Sequence, residues 1–432
     1  MDTPLLERAP APSEDAPGLL MVAYYYPPQN ASGAQRPFRF AKYLRRLGYR
    51  PQVISRDLTE VGQSSSEVHR TCPAGEGAGL TEAAAICIRL AERTILPYSD
   101  QLPWAPYAVA TARLVAKENP PSVVFSTSPP VGAHMAAAMI KREFDIPWIA
   151  DFRDPLLGNP FRTRRWANSY DAFLERVIVR HADLIVTNTD RSTEMIRSRY
   201  PRLAHKVHLI WNGFDPEEDI GPLPIPSRTH RLLLHAGTLY GGRHPGMLLE
   251  SLKRMISSGS FDPRSLRVRL IGDSGGGDAW RERSDLASLV SAGWVEYVNR
   301  AVPLQEARRE MSEADYLLLL DLNELGTGSQ VPGKLFEYIR IGRPILAFTV
   351  QDSSTSRLLA EAGIPYQCIY QSDAPGEVDR KVAAFLSLPT RPVAASEWFQ
   401  TSFNAVAQTQ TLANLAGSLV RAKDRAGIER RT

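Results

Sequence analysis

Short apolar runs recur along the chain, and each is followed by a small-residue turn and a segment with apolar positions at helical spacing. Residues 19–26, LLMVAYYY, have the character of a buried strand. The turn PPQNASGAQR follows, with Ser32, Gly33 and Ala34 at its centre. Phe38, Phe40, Ala41, Leu44 and Leu47 then fall near one face of a helix that Gly48 ends, and residues 51–55 give a second strand. This is a βαβ unit with a right-handed crossover. Residues 57–80 are rich in Gly, Ser and Glu and read as a mobile loop. Strands at 122–127, 146–151, 184–189 and 206–211, with a helix at 131–143, continue the alternation.

Residues 221–227, GPLPIPS, form the best linker in the chain. A second alternation follows. Strands are predicted at 232–236, 266–271, 294–298 and 316–322, and helices at 247–256 and 303–314. In the stretch 330–348, QVPGKLFEYIRIGRPILAF, Leu335, Phe336 and Ile339 stand at core spacing. Gly342 ends this helix, Pro344 blocks its continuation, and residues 345–348 read as a buried strand. The pattern therefore predicts two doubly wound α/β domains. The boundaries are 19–222 and 228–395, after a disordered tail at 1–18. Residues 396–420, with Trp398, Phe399, Phe403, Leu412 and Leu415, are expected to return to the first domain.

The 432 residues are too many for one ordinary core, and 43% hydrophobic with 23% charged residues is a globular balance. The three cysteines, Cys72, Cys87 and Cys368, lie far apart without metal-ligand spacing, which points to a reducing compartment. A net charge of +4 with no recognition motif argues against nucleic acid, and no apolar run reaches the length of a membrane span.

Two stretches carry phosphate chemistry. In GTLYGGR, Gly237, Gly241 and Gly242 let main-chain amides approach an anion, and Arg243 can fork onto phosphate oxygens. Lys334 stands at a second loop-to-helix start, where N–H groups also suit a phosphate. Glu337, one turn further on, suits a vicinal diol such as a ribose. His134, Arg153 and Asp154 stand at strand ends, where open α/β sheets bind ligands. Equally, His134 could be a packed core histidine, and Arg153 and Asp154 a simple ion pair.

The motifs YYYPPQNASGAQR, STSPPVGAH, ADFRDP, ADLIVTNTD, IWNGFD, HAGTLYGGR and VPGKLFEYIRIGRPILAF stand in this order over roughly residues 19–420. Together they resemble bacterial family 4 glycosyltransferases of the GT-B fold, of the surface-polysaccharide type. The resemblance implies two Rossmann-like domains facing across a cleft, with a nucleotide-sugar on the second and the acceptor on the first. It matches Glu337 to the carboxylate on the donor ribose and Arg243 and Lys334 to the cations on the diphosphate. Ser32, Gly33 and Ala34 match a small-residue loop near the sugar phosphate. His134 and Asp154 match acceptor or sugar contacts. Gly237, Gly242, Thr327, Gly328, Ser329 and Leu335 complete the expected donor site. The family pattern has a second acid eight residues before the ribose carboxylate, whereas this chain has Ser329, and Glu324 is the nearest acid upstream.

These readings imply a retaining glycosyltransferase that moves a sugar from a nucleotide-diphospho-sugar to a glycan or a polyprenyl-diphosphate-linked acceptor. No cofactor or metal is expected, because the chain lacks Asp-x-Asp. A non-catalytic nucleotide-binding subunit and a nucleotide-sugar epimerase are the alternatives. The expected localisation is cytoplasmic, with peripheral docking at the inner face of the cytoplasmic membrane as an option. Between Arg36 and Arg56 there are seven Lys or Arg residues and no acid, and Arg162, Arg164, Arg165 and Trp166 add a basic, aromatic loop. Such groups suit an anionic membrane surface or the acceptor's diphosphate.

Overall fold

The computed structural model describes residues 13, 16–29, 33–56, 67–71, 79–98, 100–159, 162, 164–239, 243–273, 284–321 and 328–429. They form two compact units, Met1–Asp215 with Ala405–Thr432, and Pro216–Asn404.

The first unit is built on a seven-stranded parallel sheet in the order β3-β2-β1-β4-β5-β6-β7. Its strands are β1 Gly18–Ala23, β2 Arg50–Arg56, β3 Val68–Thr71, β4 Val123–Ser128, β5 Trp148–Phe152, β6 Leu184–Thr187 and β7 Val207–Leu209. The helices α1 Gln35–Arg46, α2 Gly79–Thr94, α3 Ala105–Glu118, α4 Gly132–Phe144, α5 Asn168–His181 and α6 Asp190–Arg199 cover it. Every residue of β1, β4 and β5 is buried, because helices lie on both faces of a parallel sheet. Strand β3 falls inside the stretch 57–80 that reads as a loop. Val68-His69-Arg70-Thr71 is a short, half-polar edge strand, and such a strand carries little apolar signal. Helices α2 and α3 likewise fill a span where the sequence reading placed no element.

The second unit has a six-stranded parallel sheet, β10-β9-β8-β11-β12-β13. Its strands are β8 Arg231–Ala236, β9 Leu266–Ile271, β10 Val295–Val298, β11 Tyr316–Leu320, β12 Ile345–Thr349 and β13 Tyr366–Tyr370. The described helices are α7 Gly246–Ser257, α8 Ser284–Ser291, α9 Leu304–Glu313, α10 Lys334–Ile341, α11 Ser354–Glu361, α12 Pro375–Leu386 and α13 Glu397–Ser402. Gly342 closes α10 at φ 73°, and a Cβ there would stand 2.2 Å from the Val393 carbonyl oxygen, so glycine is required twice over. In each sheet the strand order reverses beside the first strand of the unit, between β1 and β4 and between β8 and β11.

The unit boundaries differ from those expected. Residues 216–223 go with the second unit: Arg308 binds Glu218, Arg340 donates to the Glu218 carbonyl, and the Leu223 N–H donates to Ser312 O. Residues 396–404 also stay there, because Phe399 and Phe403 stack beside Phe336. The return begins at α14, Ala405–Glu429. Leu412, Ala413 and Ala416 of that helix pack with Phe40 and Leu44, and Tyr49 Oη donates to Ala413 O at 2.7 Å.

The basic run 36–56 is largely internal. Arg36 is buried against Asp151 (2.9 Å) and donates to the Ile210 and Trp211 carbonyls. Lys42 is buried on Asp215 at 2.6 Å, and Arg45 pairs with Glu67. Arg36, Arg39 and Lys42 thus clamp the segment leaving β7, while Arg46 and Arg56 stay exposed, so the run does not form the continuous basic surface that the membrane reading expected.

Candidate active site

In the second unit the site lies at the carboxyl ends of β8 and β11. Strand β8 ends with His235 and Ala236, and Gly237 follows at φ 139°, a conformation that favours glycine. Its N–H donates to Ile271 O at 2.7 Å. Lys334, the first residue of α10, lies across this glycine. A Cβ on Gly237 would stand 1.9 Å from Lys334 Nζ, so the missing side chain makes the seat for the ammonium. Lys334 Nζ is 3.3 Å from His235 Nε2. Arg243, buried at 9% exposure, is close enough to act on the same charge. Burial first, and Arg243 second, hold the Lys334 ammonium down to about 7, against smaller opposing effects of Asp321 and Glu337. Tyr338 lies behind: its buried hydroxyl accepts the Ala236 N–H.

The two carboxylates nearby are both engaged. Asp321, at the end of β11, accepts from Thr349 Oγ1 (3.0 Å) and Thr355 Oγ1 (2.7 Å). Glu337 Oε1 accepts from Arg308 Nε (3.0 Å) and Nη2 (2.7 Å). The start of α10 offers fewer N–H groups than expected. The Leu335 N–H donates to Pro332 O and that of Phe336 to Gly333 O. The Leu335 side chain is fully buried and belongs to the core. Ser329 is buried, and the Gly328 carbonyl accepts the Ser354 N–H. Thr327, Gly242, Gly241, Glu324 and Ser32 lie outside the described residues.

In the first unit Gly33 and Arg153 meet. A Cβ on Gly33 would stand 1.7 Å from Arg153 Nη1, so this glycine too makes room for a cation. Arg153 is held from below, with Nε on Ser128 O and Nη2 on Pro129 O. Ala34 is buried at the start of α1. Asp154 is half-buried and its charge acts on Arg153.

His134 is wholly buried, with its ring packed on Phe152 and Trp148. Ser126 Oγ accepts the Trp148 indole N–H at 2.7 Å and lies 2.8 Å from His134 Nδ1. The hydroxyl hydrogen is then left for Nδ1, which puts the ring proton on Nε2. Among the described residues Nε2 has no partner. Burial lowers the pKa of this histidine to about 3, so His134 is neutral and supplies no proton near pH 7.

The expected basic loop divides. Arg162 is a half-buried anchor, on Asp100 (2.7 Å) and on Asp171, over the Tyr98 ring. It is therefore not available to a membrane. Arg164 and Trp166 are exposed, with Arg164 donating to Pro97 O. The side chain of Arg165 lies outside the described residues. Among the described residues no helix is long and apolar enough to cross a membrane.

Sequence reading missed His235, Arg308 and Asp321. A histidine in the apolar run LLLHA was the available signal, since a polar residue in a fully buried strand needs a partner. Arg308 gave none, because it sits in an ordinary charged helix.

Residues 35–218 match the family model Glycosyltransferase Family 4. The D-inositol 3-phosphate glycosyltransferase of Nocardiopsis dassonvillei is 27% identical over 223 residues, which are 48% of this chain and 50% of that protein. The chain thus aligns with about half the length of this curated relative. The sucrose-phosphate synthase of Thermosynechococcus elongatus superposes with a TM-score of 0.64 at 14% identity, over 94% of this chain and 100% of that one. Anabaena HepE in complex with UDP and glucose gives 0.59 at 14% identity, over 94% and 100%. The fold is GT-B, with two Rossmann-like units, and the resemblance to family 4 glycosyltransferases read from the motifs stands.

Proposed function

We propose that the chain is a retaining glycosyltransferase that moves a sugar from a nucleotide-diphospho-sugar to a glycan or lipid-linked acceptor in surface-polysaccharide assembly. The observation that carries this reading is the seating of Lys334 on Gly237 beside Arg243 and His235. Basic groups facing one another at the carboxyl end of a parallel sheet call for an anion, and a diphosphate supplies its charge in the right place. The solved relative with UDP and glucose supports a uridine diphosphate donor as the first to try.

In the reaction the bond between the sugar C1 and the diphosphate oxygen breaks. A bond from the acceptor hydroxyl oxygen to C1 forms on the same face, and the hydroxyl proton leaves for the departing phosphate. Negative charge grows on that phosphate. Lys334 and Arg243 are preorganised to stabilise it, so the step needs no divalent metal. Glu337 accepts the ribose hydroxyls. In the first unit, Arg153 on Gly33, with Asp154 beside it, is the candidate group for the sugar or acceptor. Arg164 and Trp166 are candidates for docking at an anionic membrane face.

A thermal-shift series with UDP-, GDP-, ADP- and dTDP-sugars tests the donor, since a ligand at about 100 times its Kd stabilises by about 2.7 kcal/mol. Incubation with the stabilising donor then separates the activities. Slow release of free sugar is expected. Interconversion of the sugar would show an epimerase, and binding without turnover a non-catalytic subunit.

A further inference from the structure

We propose that His235 is a positioning residue for Lys334: its neutral ring accepts the ammonium and seats it on Gly237, and diphosphate binding at this cluster therefore takes up a proton. The inference rests on the donor reading of the cluster and adds a device to it.

The ring of His235 faces two main-chain groups, at Leu318 and Gly237, as well as Lys334, and the roles of its two nitrogens are assigned from the closest contacts. His235 Nδ1 is 2.9 Å from the Leu318 carbonyl oxygen, which only accepts, so Nδ1 carries the hydrogen. Nε2 then has a lone pair, 3.3 Å from Lys334 Nζ, which donates. The ring is fully buried, and burial first, with the Lys334 charge second, keeps it neutral against the smaller opposing effects of the main-chain bonds at Leu318 and Gly237. On the glycine side no side chain intervenes, and a Cβ there would occupy the place of Nζ.

The groups facing Lys334 set its proton affinity. They are His235 from β8, Arg243 from the loop beyond it, Asp321 from the end of β11 and Glu337 on its own helix. Asp321 and Glu337 carry hydrogen bonds from Thr349, Thr355 and Arg308, and among the described residues the acceptor bonded to Lys334 is the neutral ring. An ammonium held by an uncharged acceptor opposite an arginine is poorly stabilised, and its pKa is about 7. A bound diphosphate brings negative charge and raises that value. Between the two values the complex holds more protons than the free protein, so affinity falls as pH rises above about 7 and is flat below it.

Trace labelling with acetic anhydride over a pH series, read by peptide mass spectrometry, gives the Lys334 titration directly and needs no donor. A midpoint near 7 is expected in the wild type, rising when UDP is added. His235→Phe removes the acceptor and should move the midpoint to lower pH, whereas His235→Gln, which keeps an acceptor, should restore it. A wild-type midpoint in the ordinary lysine range, or one unchanged by His235→Phe, overturns the assignment. Calorimetry with UDP at pH 8 in HEPES and in Tris supplies a second readout on the wild type alone. Heats that differ between the buffers in the sense of proton uptake support the proposal, and equal heats overturn it. A wild type that binds no nucleoside diphosphate sinks the donor reading, while the labelling midpoints still decide the role of His235.

Discussion

Arg308 on α9 grips a single carboxylate oxygen of Glu337 on α10 with two nitrogens, and the same guanidinium reaches Glu218 Oε2 at 2.8 Å. The pair is largely buried, at 12% and 17% side-chain exposure. This grip fixes the direction of the carboxylate that the ribose would meet. Arg308→Ala should therefore weaken nucleotide binding by about tenfold through a loosened Glu337, the size of one lost charge-assisted bond. Arg308→Lys should recover part of the loss. Titration calorimetry with UDP is the measurement, and equal affinity in all three proteins would count against the arrangement.

Glu337→Ala should be more severe. Two hydrogen bonds to a charged acceptor disappear, together worth about 3 kcal/mol or more, so affinity falls at least ~100-fold. The fold survives, because Arg308 keeps its bond to Glu218. Unchanged affinity in a well-folded variant would remove Glu337 from the site.

Lys334→Met should trade function for stability. The lysine pKa falls on folding, so the unfolded chain holds more protons between about 7 and the ordinary lysine value. Wild-type stability therefore rises with pH across that window. The methionine variant should lack this rise, melt higher at pH 7 and lose the nucleotide-dependent shift. Denaturant melts of both proteins at pH 7 and pH 9 check it, and parallel pH dependence would refute it.

His134 has the same sense of shift in a lower window. Its folded pKa, about 3, lies below the unfolded value of about 6.5, so its contribution is intact above pH 6.5 and declines as acid is added. The loss is at most about 1.4 kcal/mol per pH unit. His134→Phe should flatten the acid limb of a stability curve between pH 6 and pH 4. A limb of unchanged slope would show that other groups govern it.

The loop arginines should behave oppositely. Arg162→Glu leaves Asp100 and Asp171 buried without their cation and should cost about 3–5 kcal/mol. Arg164→Glu changes an exposed side chain and should leave the melting curve within about 0.5 kcal/mol. Flotation with anionic liposomes compares wild type with Arg164→Glu and Trp166→Ala. Binding unaffected by either change would remove this loop as a docking site.

The apolar runs specified β1, β4, β5, β8, β11 and β12, because a strand buried on both faces is mostly apolar, with polar residues such as Ser126 and Asp151 only where they find partners. The end of α10 was equally legible, since Gly342 has a local conformational role that needs no partner. Strand β3 was not, because an edge strand with one half-polar face looks like a loop.

Charge was the least legible property. The seven cations from Arg36 to Arg56 read as a surface, yet Arg36 and Lys42 lie inside the first unit on Asp151 and Asp215, each more than a hundred residues away in sequence. Arg162 met the same fate on Asp100. A sequence lists cations but not their partners, and only folding brings a distant carboxylate within 3 Å.

What the sequence determined by itself was the two alternations of strand and helix, and the residue types at their turns: Gly33, Gly237, Arg243, Lys334 and Glu337. These follow from local periodicity and backbone freedom, which neighbours in the chain decide. What only the tertiary structure decided was which of those groups meet. Parallel pairing puts β11 beside β8, and the start of α10 sets Lys334 on Gly237 and against His235, 99 residues earlier in the chain. The physical reason is that hydrogen bonding and electrostatic interaction act through distance in space, and the sheet order fixes that distance.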